Sequence, residues 1–427
     1  MNAIFLGIVL IAFGAAAVRE LRWIPDTGAT PPMAALSQEM ITAAGGAVEL
    51  AIGLVGTMTL FLGLMKVAEA GGMLTIIARL IRPLLIRLFP DVPPEHPAMG
   101  AMVLNLAANA LGLGNAATPF GIRAMQELDK LNTRPGVATD AMALFLAINT
   151  SSVTLLPTGV IALRAAAGST DPAAILPTTL FATICSTTVA IIAALTLRRF
   201  APLPQPDPAA ANLDRPWVRD TGTAPEASGS YPFWVSALAL GGILGLVPLT
   251  IVYGRTIAPW IIPLLMVGFL LFGAMRRVRV YETFVEGAKE GFQVALRIIP
   301  YLVAILVAVA MFRASGAMAV LTGVLGPLTT PLGLPAEALP MALLRPLSGS
   351  GAYGVLASLL NDPAIGPDSY TGLLVSTLQG STETTFYVLA VYFGAVQIRR
   401  LRHTLAAALL ADLASIIASV AICLALY

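Results

Sequence analysis

Long apolar runs recur along the whole chain, and two of them are interrupted by polar stretches. The stretches are Asn149-Thr150-Ser151-Ser152-Val153-Thr154 and Gln379-Gly380-Ser381-Thr382-Glu383-Thr384, which align as Asn/Gln-x-Ser-Ser/Thr-x-Thr. In hydrocarbon each unsatisfied polar group costs several kcal/mol, so such segments persist only against protein, a cavity or a ligand. The pattern therefore predicts two broken helices, at 140–166 and 369–396.

The elements around these breaks repeat in order. Each copy opens with a long helix (46–67; 284–313) and a short segment (73–89; 317–333). A small-residue segment with a polar centre (98–118; 338–361), the broken helix and a plain helix (175–197; 403–426) follow. The short segments read as amphipathic helices on the membrane interface, one carrying Arg79, Arg82 and Arg87, the other Pro327, Pro331 and Gly333. The small-residue segments read as re-entrant hairpins. Leu62–Met73 aligns with Leu306–Met318, Pro94–Met99 with Pro335–Met341, and Ala147–Thr154 with Thr377–Thr384. The first copy carries an extra polar loop at 126–136.

Two further helices, 233–253 and 258–275, precede the second copy, and Met1–Val18 reads as an uncleaved first helix because basic residues follow it rather than precede it. A stretch rich in Pro, Ala and charge divides the halves. The expected organisation is an N-terminal repeat at 1–200, a polar linker at 201–232 and a C-terminal repeat at 233–427.

Composition agrees with the pattern. Of 427 residues 57% are hydrophobic and 11% charged, against roughly 25% charged in a soluble domain. An all-α polytopic membrane protein is expected, and no nucleic-acid partner. Cys185 and Cys423 lie in apolar helices, and His96 and His403 stand far apart, so neither a disulfide framework nor a metal or cofactor site is expected. With short segments on the surface and re-entrant hairpins there are about nine crossings. Most basic residues, among them Lys66, Arg87, Arg198, Arg276 and Arg400, then share the side of the N-terminus; Arg19, Arg22, Arg164, Arg255 and Arg313 fall opposite. That asymmetry predicts a bacterial inner-membrane protein with its N-terminus cytoplasmic and its C-terminus outside. Five crossings between the hairpins make the repeats inverted, a plan common to alternating-access transporters.

The first half, particularly AVELAIGLVGTMTLFLGLMKVAEAGG and HPAMGAMVLNLAANALGLGNAATPFGIRAMQELDKLN, resembles the spore maturation protein A family. The second, particularly VYETFVEGAKEGFQVALRIIPYLVA, ALLRPLSGSGAYG and STLQGSTETTFYVLAVYFGAVQIRR, resembles the spore maturation protein B family. Both are identified with a wider group carrying the nucleoside recognition or gate domain, to which concentrative nucleoside transporters and the membrane part of ferrous-iron transporter B are related. The resemblance implies hairpin positions for Asn105, Asn109, Asn115, Arg345, Ser348 and Ser350, and chain breaks at the two polar motifs. The nucleoside transporters' substrate motifs and a G-protein domain are absent from this sequence, so neither nucleosides nor iron is implied as cargo.

Glu383 reads as the carboxylate deepest in a membrane segment and Arg345 as the cation of the second hairpin. An ionisable group inside the bilayer costs at least about 2.5–3.5 kcal/mol, so it is paired or functional. Two readings stand: a salt bridge locking hairpin to broken helix, or Arg345 holding a substrate anion while Glu383 binds a cation or a proton. Asn105, Asn109, Asn149, Thr150, Ser151, Ser152 and Thr154 form a first half-site. Gln379, Ser381, Thr382 and Thr384 join Arg345, Ser348 and Ser350 in a second. Asp412, aligned with Thr187, suits a proton relay or a helix-pairing contact equally. The function expected is secondary-active transport of a small anionic or zwitterionic solute by an elevator-like motion, coupled to Na+ or H+. A homo-oligomer in the lipid bilayer is compatible with this. The rival is a non-transporting membrane scaffold of an envelope or spore-maturation complex. An enzyme is not expected, since no nucleophile–base or metal constellation is present.

Overall fold

The computed structural model describes residues 2–24, 30–112, 117–203 and 231–427. Asn115 and most of the expected linker, 204–230, lie outside these residues. The described chain is helical, with a single isolated bridge between Val137 and Arg400. The first half holds α1 (Asn2–Leu21), α2 (Pro32–Ala70), α3 (Met73–Leu88), α4 (Pro97–Ala110), α5 (Thr118–Lys130), α6 (Asp140–Thr150), α7 (Thr158–Ala166) and α8 (Ile175–Leu197). The second holds α9 (Phe233–Met275), α10 (Val280–Ala314), α11 (Ala317–Thr329), α12 (Leu339–Leu344), α13 (Gly349–Leu360), α14 (Tyr370–Ser381), α15 (Thr385–Ala395) and α16 (Thr404–Leu426).

Three of the described helical stretches are long and apolar enough to cross a bilayer: Pro32–Ala70, Pro172–Phe200 and Thr404–Leu426. The chain is a membrane protein, and its exposed apolar residues fit that setting. Leu6, Leu10, Ile11 and Phe13 on α1 and Val320, Val324 and Leu328 on α11 face outward, where water would make them a liability and lipid does not.

Matching helices of the two halves pack antiparallel. Gly287 of α10 sits on Leu62 and Gly63 of α2, and Gly291 on Met58 and Thr59. A Cβ on Gly291 would lie 2.7 Å from the Met58 carbonyl oxygen. Lipid tails are as apolar as side chains, so close backbone approach through small residues, rather than burial, holds such a pair together. Between α8 and α16, Ser186 Oγ donates to the Ala411 carbonyl (2.9 Å) and Tyr427 Oη to the Ala174 carbonyl (2.9 Å). At the end of α2 and again at the end of α10 a left-handed glycine, Gly72 (φ 87°) and Gly316 (φ 80°), turns the chain into the next short helix. The turn after α10 bends the path by 80°.

The two larger apolar cores draw on both halves of the sequence. One gathers Met99, Met102 and Phe145 with Val388, Tyr392 and Phe393. The other gathers Phe61, Ile161 and Leu163 with Met341, Leu356 and Leu374.

Three boundaries differ from the sequence expectation. The helix expected at 46–67 begins at Pro32, because Gly45 and Gly46 cost only about 1 kcal/mol each inside a helix. The extra loop expected from residue 126 begins at 131, since α5 runs on to Lys130, which pairs with Glu127 (2.6 Å). The helices expected at 233–253 and 258–275 are one helical element, α9. A straight helix of its 43 residues would be about 64 Å long. Yet Phe233 lies under Arg87, and Arg276 Nε donates to the Gly71 carbonyl. Those anchor points are separated by α3, only about 24 Å long. The element therefore turns back between its ends.

Candidate functional site

The two breaks, residues 151–157 and 382–384, meet. The backbone N–H of Glu383 donates to the Thr150 carbonyl (2.9 Å), the last carbonyl of α6. At or just past each break, the chain is tied to the short helices of its own half. Leu155 N–H donates to the Ala110 carbonyl at the end of α4 (2.9 Å), and Phe386 N–H to the Pro346 carbonyl after α12 (3.1 Å). Buried backbone groups must find partners, and these three bonds satisfy groups that unwinding frees. The first half-helices begin alike: Thr139 Oγ1 accepts from Met142 N–H and Ser369 Oγ from Gly372 N–H.

In the first half the polar residues mostly bond inward. Asn109 Nδ2 donates to Asn149 Oδ1 (2.9 Å), joining hairpin to broken helix. The hydroxyls of Thr150 and Ser151 return to the Ala147 carbonyl, that of Ser152 to the Asn149 carbonyl and that of Thr154 to the Ser152 carbonyl. Asn105 is fully buried; its Nδ2 donates to the Ala117 carbonyl and to Tyr392 Oη, closing the hairpin against α15.

In the second half Arg345 stands at the turn between α12 and α13, buried. Nη1 donates to Thr384 Oγ1 (3.1 Å) and Nη2 to the Thr382 carbonyl. Glu383 Oε2 is 3.9 Å from Nη2, and its side chain is 47% exposed. Arg345 is thus held by the broken segment itself, with Glu383 at the edge of contact. Ser348 caps α13 by accepting from Gly351 N–H (3.0 Å), while Ser350 is exposed. Ser381 Oγ accepts from Ser415 Oγ (2.7 Å). Gln379 is buried, and its Oε1 has no protein partner.

Arg345, Ser381 and Thr382 line a cavity of about 10 Å3 with Asp412 and Ser415 of α16. That is room for one water. The most buried carboxylate here is therefore Asp412, 5% exposed, and not Glu383. Asp412 and its alignment partner Thr187 do similar work. Asp412 Oδ2 accepts from Thr385 Oγ1 (2.7 Å), and Thr187 Oγ1 donates to the Ser151 carbonyl, so each last helix braces the break of its own half. Among the described residues no three His, Cys, Asp or Glu side chains come together as a metal site.

Two arginine clamps that the sequence did not reveal frame the site. Arg164, at the end of α7, is fully buried and donates to Asp368 Oδ1 (3.0 Å), the Pro367 carbonyl (2.6 Å), Ser169 Oγ (3.0 Å) and the Asp171 and Pro172 carbonyls. Arg402, before α16, donates to Asp140 Oδ1 (2.6 Å) and the Ala138 carbonyl (3.0 Å). Each clamp ties the end of one broken helix, or the chain just after it, to the start of the other. The signal available was a basic residue in each half at or after the end of the broken helix and an acidic residue near the start of each broken helix.

Burial alone would raise the Asp368 carboxyl, but donors on Ser169, Thr170 and Arg164 hold it below the ordinary value of 3.8. A depressed folded-state pKa adds stability above the unfolded value and loses it as pH falls through the folded one. Wild-type protein in detergent should therefore lose thermal stability as pH drops below about 4, with a shallower slope in Asp368→Asn; identical slopes would refute the assignment.

The sequence matches the family described as "Gate: Nucleoside recognition" over residues 51–167 and 295–399. Spore maturation protein B of Bacillus subtilis (strain 168) is 49% identical over 161 residues, 38% of this chain and 89% of that protein. Spore maturation protein A of the same organism is 46% identical over 157 residues, 37% of this chain and 80% of that protein. Solved structures of CNTnw, one a doubly substituted variant in an outward-facing state and one inward-facing and substrate-bound, align over 97% of this chain at 14% identity. Their TM-scores are 0.44 and 0.42, and they cover 91% and 90% of those chains.

Proposed function

The chain belongs to the nucleoside recognition (gate) family, and on that premise we propose that it is a secondary-active transporter of a small anionic or zwitterionic solute in the bacterial inner membrane. The observation that carries the reading is the meeting of the two chain breaks at Glu383 and Thr150 (2.9 Å), with Arg345 behind them and the Glu383 carboxylate half-exposed. A buried guanidinium and an accessible carboxylate at the meeting of two chain breaks make a set that binds an anion and a cation on one molecule.

The antiparallel pairs α2/α10 and α8/α16 support an inverted repeat, and hence alternating access by an elevator-like motion of hairpins and broken helices against the remaining helices. The hairpins would be re-entrant, the N-terminus cytoplasmic and the C-terminus outside. The sequence repeats meet in shared cores, so they would move as interleaved units rather than as two separate domains.

The test is uptake into proteoliposomes from a panel of amino acids, dicarboxylates and nucleosides, under Na+ or H+ gradients. One zwitterion or anion should be taken up, and Glu383→Gln should raise its KM about tenfold or more, the loss of one charged hydrogen bond. No uptake from any member of the panel by well-folded wild type would sink the reading.

A second reading, a non-transporting scaffold in an envelope complex, is favoured by the names of the two relatives and by a cavity of about 10 Å3. A stoichiometric partner copurifying with a protein that moves no solute would support it.

A further inference from the structure

Asp412 lies in the middle of α16, buried, with one oxygen served and one bare. Oδ2 accepts from Thr385 Oγ1 (2.7 Å), whereas Oδ1 has no protein partner. Across the same cavity Arg345 has an unpartnered Nε. A water there needs two to four polar partners, and Oδ1, Nε and the hydroxyls of Ser381 and Ser415 supply them. An ionised carboxylate offers about four acceptor sites, and here one protein donor reaches it.

We propose that Asp412 is a protonation site, its ligand a proton from bulk water and its charge sensed by Arg345. This rests on the transport reading only for its consequence: the proton becomes the coupling ion, and Asp412, not Glu383, its carrier. The site forms one O–H bond on protonation and breaks none within the protein. As the anion, Asp412 attracts the guanidinium toward the cavity. As the neutral acid it donates into the cavity and releases that pull, leaving Arg345 to the Thr382 carbonyl, to Thr384 and to Glu383 at 3.9 Å. Protonation at α16 thus changes what the broken segment offers to cargo.

Other groups do not compete for this role. The helices that pack most on α16 are α6, α8, α14 and α15. Their titratable side chains are Asp140, Cys185, Tyr370, Tyr387 and Tyr392. Asp140 is held by Arg402 at the far end of α6, and His403 is the N-cap residue of α16, more than two turns from Asp412. Arg345, on the turn between α12 and α13, is the charged group lining the cavity with Asp412. Its positive charge disfavours a metal cation in the same space, which makes a proton the fitting ligand.

The experiment is pH-difference infrared spectroscopy of the purified full-length protein, reading the C=O stretch of a protonated carboxylic acid without cargo. Bands from the carboxylates left unsubstituted are common to all variants; wild type should gain one further band as pH falls, which Asp412→Asn should lack and Glu383→Gln should keep. Thr385→Val, which removes the donor to the carboxylate, should move the midpoint to higher pH, and it serves if Asp412→Asn does not fold. Survival of that further band in Asp412→Asn, its absence from wild type, or an unmoved midpoint in Thr385→Val would each overturn the proposal. Because no cargo is present, absent flux with a titrating Asp412 band would defeat the transport reading alone. Flux with its pH dependence intact in Asp412→Asn would defeat the coupling role alone.

Discussion

Replacing Arg164 by methionine is expected to cost about 3 kcal/mol of stability, chiefly from buried acceptors left without their donor. Methionine fills much of the volume but donates nothing. The Pro367, Asp171 and Pro172 carbonyls and the Asp368 carboxylate all lose the same donor group. Unsatisfied buried acceptors cost about 1–3 kcal/mol each, with partial relief where water enters. Asp368→Asn should be milder, about 1–2 kcal/mol, because its side chain is 38% exposed and Arg164 keeps its carbonyl partners. Thermal and denaturant unfolding in detergent reads both variants. A methionine variant as stable as wild type would mean that the clamp is not structural.

Truncating Arg345 to alanine should lower solute uptake about 10–100-fold, the worth of a charge-assisted hydrogen bond at about 1.5–3 kcal/mol. The same change removes the donor from the Thr382 carbonyl and Thr384 Oγ1, so a modest loss of stability accompanies it. Arg345→Lys separates the two effects: it keeps the charge and loses the planar fork. Lysine should recover part of the stability and little of the uptake if the fork grips cargo. Proteoliposome uptake measured on monodisperse protein decides the matter. Wild-type rates in Arg345→Ala would remove Arg345 from the binding site.

Much of the helical plan was legible because its signals are local. Polar residues at Asn149–Thr154 and Gln379–Thr384 interrupt apolar runs, and the helices do stop there. Gly72 and Gly316 sit at equivalent turns because a left-handed backbone suits glycine. The fold-back of α9 was partly legible: two apolar runs were visible with Gly254 and Pro259 at their junction, but not that the backbone stays helical through the connection.

The chemistry of the site was less legible. For Arg345 and Glu383 the sequence leaves two readings, a salt bridge or separate grips on cargo, and the pair lies 3.9 Å apart. What grips Arg345 is a carbonyl and a hydroxyl of the broken segment, and backbone acceptors leave no mark in the sequence. The hydroxyls of Thr150, Ser151 and Ser152 bond back to their own helix. Which way a hydroxyl turns is decided by the carbonyls within its reach.

By itself the sequence determined that this is a helical membrane protein with two matching halves, each carrying a break. Hydrophobicity and small-residue spacing act over one or two helical turns, so they can be read along the chain. Only the tertiary structure decided that Glu383 N–H reaches the Thr150 carbonyl, that Arg164 crosses to Asp368, and that Asp412 shares a cavity with Arg345. These contacts join residues from 67 to more than 200 positions apart. Their distances are set by how the antiparallel helix pairs close on one another, a property of packing that no single segment contains.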